Sequence, residues 1–514
     1  MPTYSTPGVY ATESPLVSLI PNVSGPTAAV FLGTAPRGPV TPTLVTDWPT
    51  FKTIFGDLDN AYDLCYSVYH YFTNGGRAAW VIRVVGATSA TATKTPVPFY
   101  PQGLGGASAS LFTVTADSPG TWGNSLAITF SAGNVAASAT VKPTFNLSIA
   151  LSGVEVEKWL ELSPNENANR YFVEVLNRYS NFVSVSAPHA FTSSLASASA
   201  GTVYYTAAGV ALAGGTSLAV ADTDYATAID TVDTINGNLL INAVAQTSAA
   251  VVTAVLAKCS TRGDSFGIID GSQNDLTYAN IQSTSNAYTT LAGGNYGAVF
   301  APCLEMVDPA KTGPSAIRTT SPGGAVAGLF VRSELQRSVA KAPAGYTADI
   351  RGALGITVKL TDSQVGSLYD GGAQTNCFKA IAGAGIILNG TRTLEKVNPD
   401  KYIPVRRTLN YIKRSVKDLS ASAVFEPNNE TLWNSLNNSI GSFLNNFWRS
   451  GGLKGQRSSD AYFVVCDATN NTSSTIDQGI VNVSVGVALS YPAEFIVINI
   501  SQWTGGSNAV ESNI

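Results

Sequence analysis

The chain has 514 residues, of which 45% are apolar and only 12% charged, with a formal net charge of −4. At ~100 to 200 residues per domain this length predicts about three domains, or one core with large insertions. The charged fraction is about half the ~25% of an average soluble domain, so Ser, Thr, Asn, Ala and Gly must cover the surface. So small a net charge on so long a chain gives no field for gathering polyanions, which argues against a general nucleic-acid or anionic-membrane binder and points to protein partners.

In chain order, residues 1–23 carry Pro2, Pro7, Pro15 and Pro21 without a helical period, which predicts an extended arm whose partner lies elsewhere. The first basic residue is Arg37 and residues 1–10 lack an apolar stretch, so no secretory signal is expected and the chain should start as a cytosolic product. Residues 27–34 read as a buried strand. Asp47 should cap a helix through Phe55 that Gly56 stops, residues 60–74 repeat Leu64, Val68, Tyr71 and Phe72 as a second helix, and residues 79–85 return as strand. Residues 87 to about 250 hold long uncharged tracts with strands expected at 126–130, 145–152 and 181–186 and a helix at 165–178, a β-rich insertion. α/β alternation resumes at 251 with a helix to 258, strands at 266–269 and 298–304 and a helix through 329–337. Two amphipathic helices follow at 407–419 and 429–448, then strands at 462–466, 480–488 and 494–500. No apolar run reaches the ~18 residues that a membrane span needs.

The chemistry-bearing residues are few. Cys65, Cys259, Cys303, Cys377 and Cys466 lie far apart without a CxxC pair and read as small buried hydrophobes, so neither a disulfide framework nor zinc is expected. Only two histidines exist. His70 fits a packed or half-exposed position on its helix and His189 a turn after Pro188. Gly263-Asp264-Ser265-Phe266-Gly267 matches the nucleophile-elbow pattern, but that motif needs a strand before the serine and a helix after it, and here the order is reversed. Gly263 therefore reads as the turn after a helix, and Ser265 as a non-catalytic serine. No Gly-Lys dipeptide supports a P-loop, and Gly383-Ala384-Gly385 lacks the third glycine of a dinucleotide fingerprint. Asp467, Asn470, Asn471 and Asp477 do not follow the EF-hand spacing and suit turns better. No enzyme, cofactor or metal is expected.

Charge is concentrated near the end. Residues 392–418 hold eight basic side chains against three acidic ones, whereas after Arg457 there are five acidic residues and no basic one. A cationic helix and an anionic tail suit registration between proteins.

Strings of residues along the chain resemble the contractile tail sheath proteins of bacteriophages, a family shared with phage-tail-like bacteriocins and contractile injection systems. They begin with Pro7-Gly8-Val9-Tyr10, residues 33–39 (GTAPRGP), Phe55-Gly56 and residues 72–84 (FTNGGRAAWVIRV), and continue with residues 119–124 (PGTWGN). Later come residues 322–328 (PGGAVAG), 341–345 (KAPAG), 390–394 (GTRTL), 402–407 (YIPVRR), 425–428 (FEPN) and 492–495 (PAEF). Two departures stand out: Ala11-Thr12-Glu13 supplies a single acidic residue after the first string, and residues 373–380 lack the family's usual segment.

The resemblance implies a mixed α/β, α+β fold: a discontinuous core domain (24–86 and 251–493, the latter including a C-terminal tube-facing part), a β-rich insertion (87–250), and extended arms (1–23 and 494–514). It implies a structural subunit that stacks in rings around a tail tube, contracts on a baseplate signal and drives the tube through a cell envelope. The expected partners are further copies of itself, the tail tube protein, and baseplate and tail terminator proteins, with no nucleic acid and no membrane insertion. The expected place is the virion tail, assembled in the host bacterial cytoplasm. Pro7, Gly8, Val9 and Tyr10, with Ile496, Ile498 and Ile500, are the expected subunit-linking arm residues, pairing as added strands with neighbouring copies. Arg406, Arg407, Lys413, Arg414 and Lys417 are the expected tube-facing charges. The rival readings are a secreted adhesin or surface-layer protein, suited by the Ser/Thr/Asn-rich composition, and a serine hydrolase at Ser265.

Overall fold

A computed structural model describes residues 27–94, 112–134, 144–163, 166–186, 209–370, 372–397 and 399–494. The expected arm residues Pro7, Gly8, Val9, Tyr10, Ile496, Ile498 and Ile500, and the turn at His189, lie outside them. The chain opens with β1 (Ala28–Gly33), β2 (Thr43–Val45), helices α1 (Trp48–Phe55) and α2 (Asp63–Thr73), and β3 (Ala79–Arg83). Asp47 caps α1 as expected, its side chain accepting from Thr50 N at 2.7 Å. A β-rich stretch follows: β4 (Thr93–Lys94), β5 (Thr113–Ala116), β6 (Leu126–Ala132), β7 (Phe145–Leu151), β8 (Val154–Leu162), α3 (Phe172–Tyr179), β9 (Val183–Ser186) and β10 (Val210–Ala211). The helix expected at 165–178 begins only at Phe172, because residues 166–170 with Asn167 and Asn169 form turns. β8, with its alternating Val-Glu-Val-Glu sequence, is an additional strand.

Then come α4 (Asp222–Asp230), β11 (Leu239–Ala243), α5 (Ala249–Arg262), β12 (Ser265–Asp270), α6 (Tyr278–Tyr288) and β13 (Gly297–Phe300). These are followed by β14 (Leu304–Val307), β15 (Ile317–Thr320), α7 (Gly323–Gln336), β16 (Ala353–Ile356), α8 (Asp362–Asp370), β17 (Thr375–Ile381) and β18 (Gly385–Asn389). The single strand expected at 298–304 is two strands, since Pro302 has no N–H to carry a ladder across. The chain closes with α9 (Ile403–Ser420), α10 (Glu430–Arg449), β19 (Tyr462–Val465) and β20 (Ser484–Val487), the last shorter than the expected 480–488.

Eight strands form one sheet in the order β18-β17-β13-β12-β11-β1-β3-β2, parallel except at its two edge pairs. It takes strands from both sides of the β-rich stretch, and the chain re-enters it at Leu239, ahead of residue 250. Both faces are covered, which is why β1 reads as an unbroken apolar run. Ala29 and Phe31 pack with α1, α2 and α7, and Val30 and Leu32 pack with α4 and α5. On the first face α2 and α7 lie nearly backbone to backbone: a Cβ on Gly324 would stand 2.1 Å from Ser67 O, and one on Gly328 2.4 Å from Tyr71 O. The glycines of the 322–328 string are therefore required by packing.

The β-rich stretch builds a four-stranded sheet (β10-β6-β7-β8) and a three-stranded one (β4-β5-β9) around a shared core in which Phe112, Phe130, Phe145 and Phe172 meet edge to face or tilted. Buried Arg83 joins it to the parallel sheet, donating to Ala35 O at 3.0 Å, Gly38 O at 3.2 Å and Pro119 O at 2.8 Å. Burial pulls its guanidinium down to about 10. Three separate strings of the sequence thus meet at one side chain. A third core forms where α9 and α10 pack on the two-stranded β19-β20 sheet through Ile412, Ile440, Leu444 and Phe447.

Candidate functional site

The cationic segment near the chain end folds as α9, with Pro404 in its first turn. Its charges divide by side. Arg406 is 6% exposed, bound to Asp400 and lying 4.8 Å from the Tyr296 ring centre. Arg407 is 5% exposed; its Nη2 donates to Glu334 Oε2 of α7 at 2.6 Å and to Thr27 Oγ1 at 3.3 Å, above the Phe330 ring. Arg414 bridges Asp418 at 3.0 Å and Asp264 at 3.4 Å. Lys413 and Lys417 alone of the five are exposed. The expectation that Arg406 and Arg407 face outward is corrected for the folded chain: their partners Asp400 and Glu334 draw them inside, where an unpaired charge would not be tolerated.

Glu334 also receives Thr27 N at 3.3 Å and Thr27 Oγ1 at 2.7 Å. The Arg407–Glu334 pair therefore pins the chain at residue 27, where the N-terminal segment joins the body. A second pair does the same at the other end. Arg392, 2% exposed, donates to Glu494 Oε2 at 2.8 Å and to Tyr369 O at 3.0 Å, with its guanidinium 4.0 Å from the Tyr369 ring centre. The Tyr369 hydroxyl donates to Glu494 Oε1 at 2.5 Å, and burial followed by this carboxylate pushes the phenol far above its ordinary value. The backbone of Arg392 is tied to Asn376 on β17 by two bonds of 2.7 Å. The strings at 390–394 and 492–495 thus meet, about a hundred residues apart in sequence. Nothing local in either string signals this; only the fold brings them together. A groove of about 560 Å³ lies beside the pair, lined by Ala342, Val365, Tyr369, Tyr491 and Pro492 among others.

The catalytic alternative finds no geometry. Gly263 is the left-handed cap of α5 (φ 69°), and Ser265 opens β12 with no accessible surface. Its hydroxyl donates to Asp264 Oδ1 and accepts from Arg262 Nε, both at 2.9 Å. His70 is packed in α2, where burial and then Arg318 pull its imidazole down to about 4. In open parallel sheets, ligands bind in the crevice beyond the carboxyl ends of the strands. Here Asp270 fills that place: its carboxylate accepts from Gly323 N at the start of α7 at 2.7 Å, Ala245 N at 3.0 Å and Asn242 Nδ2 at 3.1 Å. Burial raises Asp270 to about 6 despite these donors. Asp467, Asn470 and Asn471 serve turns, Asp467 Oδ1 accepting from Thr469 N at 2.8 Å. Among the described residues no group of three His, Cys, Asp or Glu could hold a metal, and no helix is long and apolar enough to cross a membrane. All five cysteines are buried with free thiols.

Residues 395–502 match the family described as the phage tail sheath C-terminal domain. The chain is 30% identical over 178 residues to the tail sheath protein of Vibrio phage KVP40, which covers 34% of this chain and 25% of that protein. The match thus spans about a quarter of the relative's length. Among solved structures, it resembles the contracted sheath of the extracellular contractile injection system PVC at 21% identity and a TM-score of 0.58, covering 98% of this chain and 99% of that one. A sheath tail protein from Listeria innocua aligns at 14% identity and a TM-score of 0.60, covering 91% and 96%. Both likenesses are of fold.

Proposed function

We propose that this chain, which is similar to contractile tail sheath proteins, is the repeating structural subunit of a sheath that polymerises around a tail tube and contracts to drive the tube through a cell envelope. The observation that carries this reading is the pairing of pinned roots with an unfinished sheet. Thr27 and Glu494 are each held by a buried arginine, so both terminal segments leave from fixed points. Among the described residues β19-β20 meanwhile has two strands, with a further bond only at the end of β20, from Lys454 N to Ala488 O at 2.9 Å. Such a sheet is barely stable alone and accepts further strands. Segments 1–23 and 494–514 of neighbouring copies would supply them, since backbone bonds tolerate any side chain and survive movement of the bodies they join.

In this reading the core is discontinuous, comprising residues 24–86 and a second part that starts near 220. The β-rich insertion lies between them, and the α9–α10 unit faces the tube. Lys413 and Lys417 are the charges available to acidic groups on the tube. Exposed pairs contribute only ~0 to 1 kcal/mol each, weak enough to break on contraction while many copies hold the register together. The subunit is structural rather than catalytic; it would act in a virion or virion-like tail alongside tube, baseplate and terminator proteins.

Electron microscopy of the purified chain tests the reading: a sheath subunit forms hollow striated tubes, and neither an adhesin nor a hydrolase does. Deleting residues 1–12 should give soluble monomer with unchanged circular dichroism and no tubes. Connected, contractile tubes from the truncated chain would sink the role given to the arm.

A further inference from the structure

Five arginines are buried among the described residues: Arg83, Arg332, Arg392, Arg406 and Arg407. The last four each meet a carboxylate, at Asp349, Glu494, Asp400 and Glu334 respectively. Arg83, 5% exposed, meets none; burial lowers its guanidinium, and only Tyr62 opposes that effect. Its Nε and Nη1 are spent on the carbonyls of Ala35, Gly38 and Pro119. Nη2 is left without a protein acceptor and lies beside Gly120, where a Cβ would stand 3.0 Å from it. A buried charge held only by neutral carbonyls carries a desolvation cost that a counter-charge would offset.

Arg83 is the one charged side chain among the residues lining a cavity of about 100 Å³. Thr34, Tyr62, Ser89 and Ser217, all bearing hydroxyls, share its wall. The cavity lies past the carboxyl ends of β1 and β3, the side of an open parallel sheet on which ligands bind. At β12, two strands from β1, Asp270 brings a carboxylate to the donors of its own chain. At β1 and β3 the only charge that the chain supplies is positive. Ser217 is exposed, so ions can enter from solvent. A water needs roughly 10 to 15 Å³ and a drug-sized ligand ~300 Å³ or more, so this space suits one ion of phosphate size and excludes a nucleotide.

We propose that this cavity binds one small oxyanion, of the size of inorganic phosphate or a carboxylate group, with Arg83 Nη2 as the charged donor and the Thr34 and Tyr62 hydroxyls as further donors. Arginine beside hydroxyls is the chemistry that recognises such groups, because charge-assisted bonds to an oxyanion are roughly twice as strong as neutral ones. The site stands at the root of the β-rich insertion. Residues 84–89 lead out of the sheet along its wall and residues 217–220 lead back, with Ala90 N bonded to Thr216 O at 3.2 Å just beyond. A bound anion therefore ties the ends of β1 and β3 to both connections of the insertion and to its turn at Pro119. Every group named belongs to one chain, so the site is independent of polymerisation.

The test is titration of the full chain with inorganic phosphate at fixed ionic strength, read by isothermal calorimetry and by melting temperature. Saturable binding of one phosphate per chain is expected, with a melting temperature that rises with phosphate and not with chloride. Arg83→Met should abolish both responses. Where Arg83→Met fails to fold, Thr34→Val with Tyr62→Phe decides: this chain should keep the wild-type circular dichroism and bind phosphate about ten-fold more weakly. Saturation by acetate and not by phosphate supports the oxyanion site and assigns it to a carboxylate, as a side chain of another molecule would present. No saturable heat with either ion overturns the proposal, and so does phosphate binding of unchanged strength in the Thr34→Val/Tyr62→Phe chain.

Discussion

The eight-stranded sheet and the two-stranded β19-β20 sheet treat their edges in opposite ways. At one end of the large sheet, residues 345–350 cover β18, with Ile350 N bonded to Ile386 O at 2.8 Å and Leu388 N to Ala348 O at 3.0 Å. At the other end β2 is only three residues long, too short to template another chain. At the carboxyl end of β12, Asp270 is buried and bonded by donors of the same chain. Among the described residues the small sheet has only two strands, met at the end of β20 by the bond from Lys454 N to Ala488 O at 2.9 Å, and Phe463 on β19 is 58% exposed. One region is closed by its own chain, whereas the other leaves strand edges open to the strand addition proposed above.

That contrast predicts where substitutions unfold the chain and where they leave it folded but unassembled. The largest effect is expected at the α2–α7 contact, where Gly328→Val drives a branched side chain into Tyr71 O; a loss of about 3 kcal/mol or more should appear as insoluble protein or a much lower melting temperature. Next is Arg407→Met, which strands Glu334 in the interior and should cost about 3 to 5 kcal/mol, with Arg407→Met/Glu334→Leu recovering most of it in thermal unfolding.

His70 gives a pH test of the same core. Burial lowers it from 6.5 to about 4, so the unfolded chain binds the proton first. Stability from this group is whole above about pH 6.5 and is lost as pH falls towards 4. His70→Phe should remove up to about 3 kcal/mol of that acid-side loss, read from melting temperatures at pH 7 and pH 4. Asp270 works the other way: raised to about 6, it weakens the fold as pH rises from about 4 to 6.

The smallest effect on stability is expected at the exposed lysines of α9, the charges proposed to face the tube. Lys413→Glu with Lys417→Glu should change folding by no more than about 0.5 kcal/mol yet abolish extended sheath on the tube. Wild-type tails from that double variant would erase the distinction between the two regions of the helix surface.

Local signals were legible where the physics is local. Asp47 and Gly56 bound α1, Gly263 ends α5 ahead of Ser265, and β1 betrays its two-sided burial by lacking any polar alternation. What was not legible depends on distant partners. Arg406, Arg407, Lys413 and Lys417 look alike in sequence, and only Glu334, 73 positions before Arg407, and Asp400 separate buried from exposed. β8 escaped because its glutamates mask the alternation that an exposed edge strand still keeps. The domain boundary expected at 250 came from composition, whereas β11 belongs to the parallel sheet by topology.

The clasp at Glu494 also has a mechanical meaning. Tension on the segment that follows reaches Glu494 first, passes through Arg392 and Tyr369, and enters β17 through the paired bonds between Arg392 and Asn376. A pull on the residues after Glu494 would thus be shared with the large parallel sheet through the two bonds at Asn376, before it reached the small β19-β20 unit.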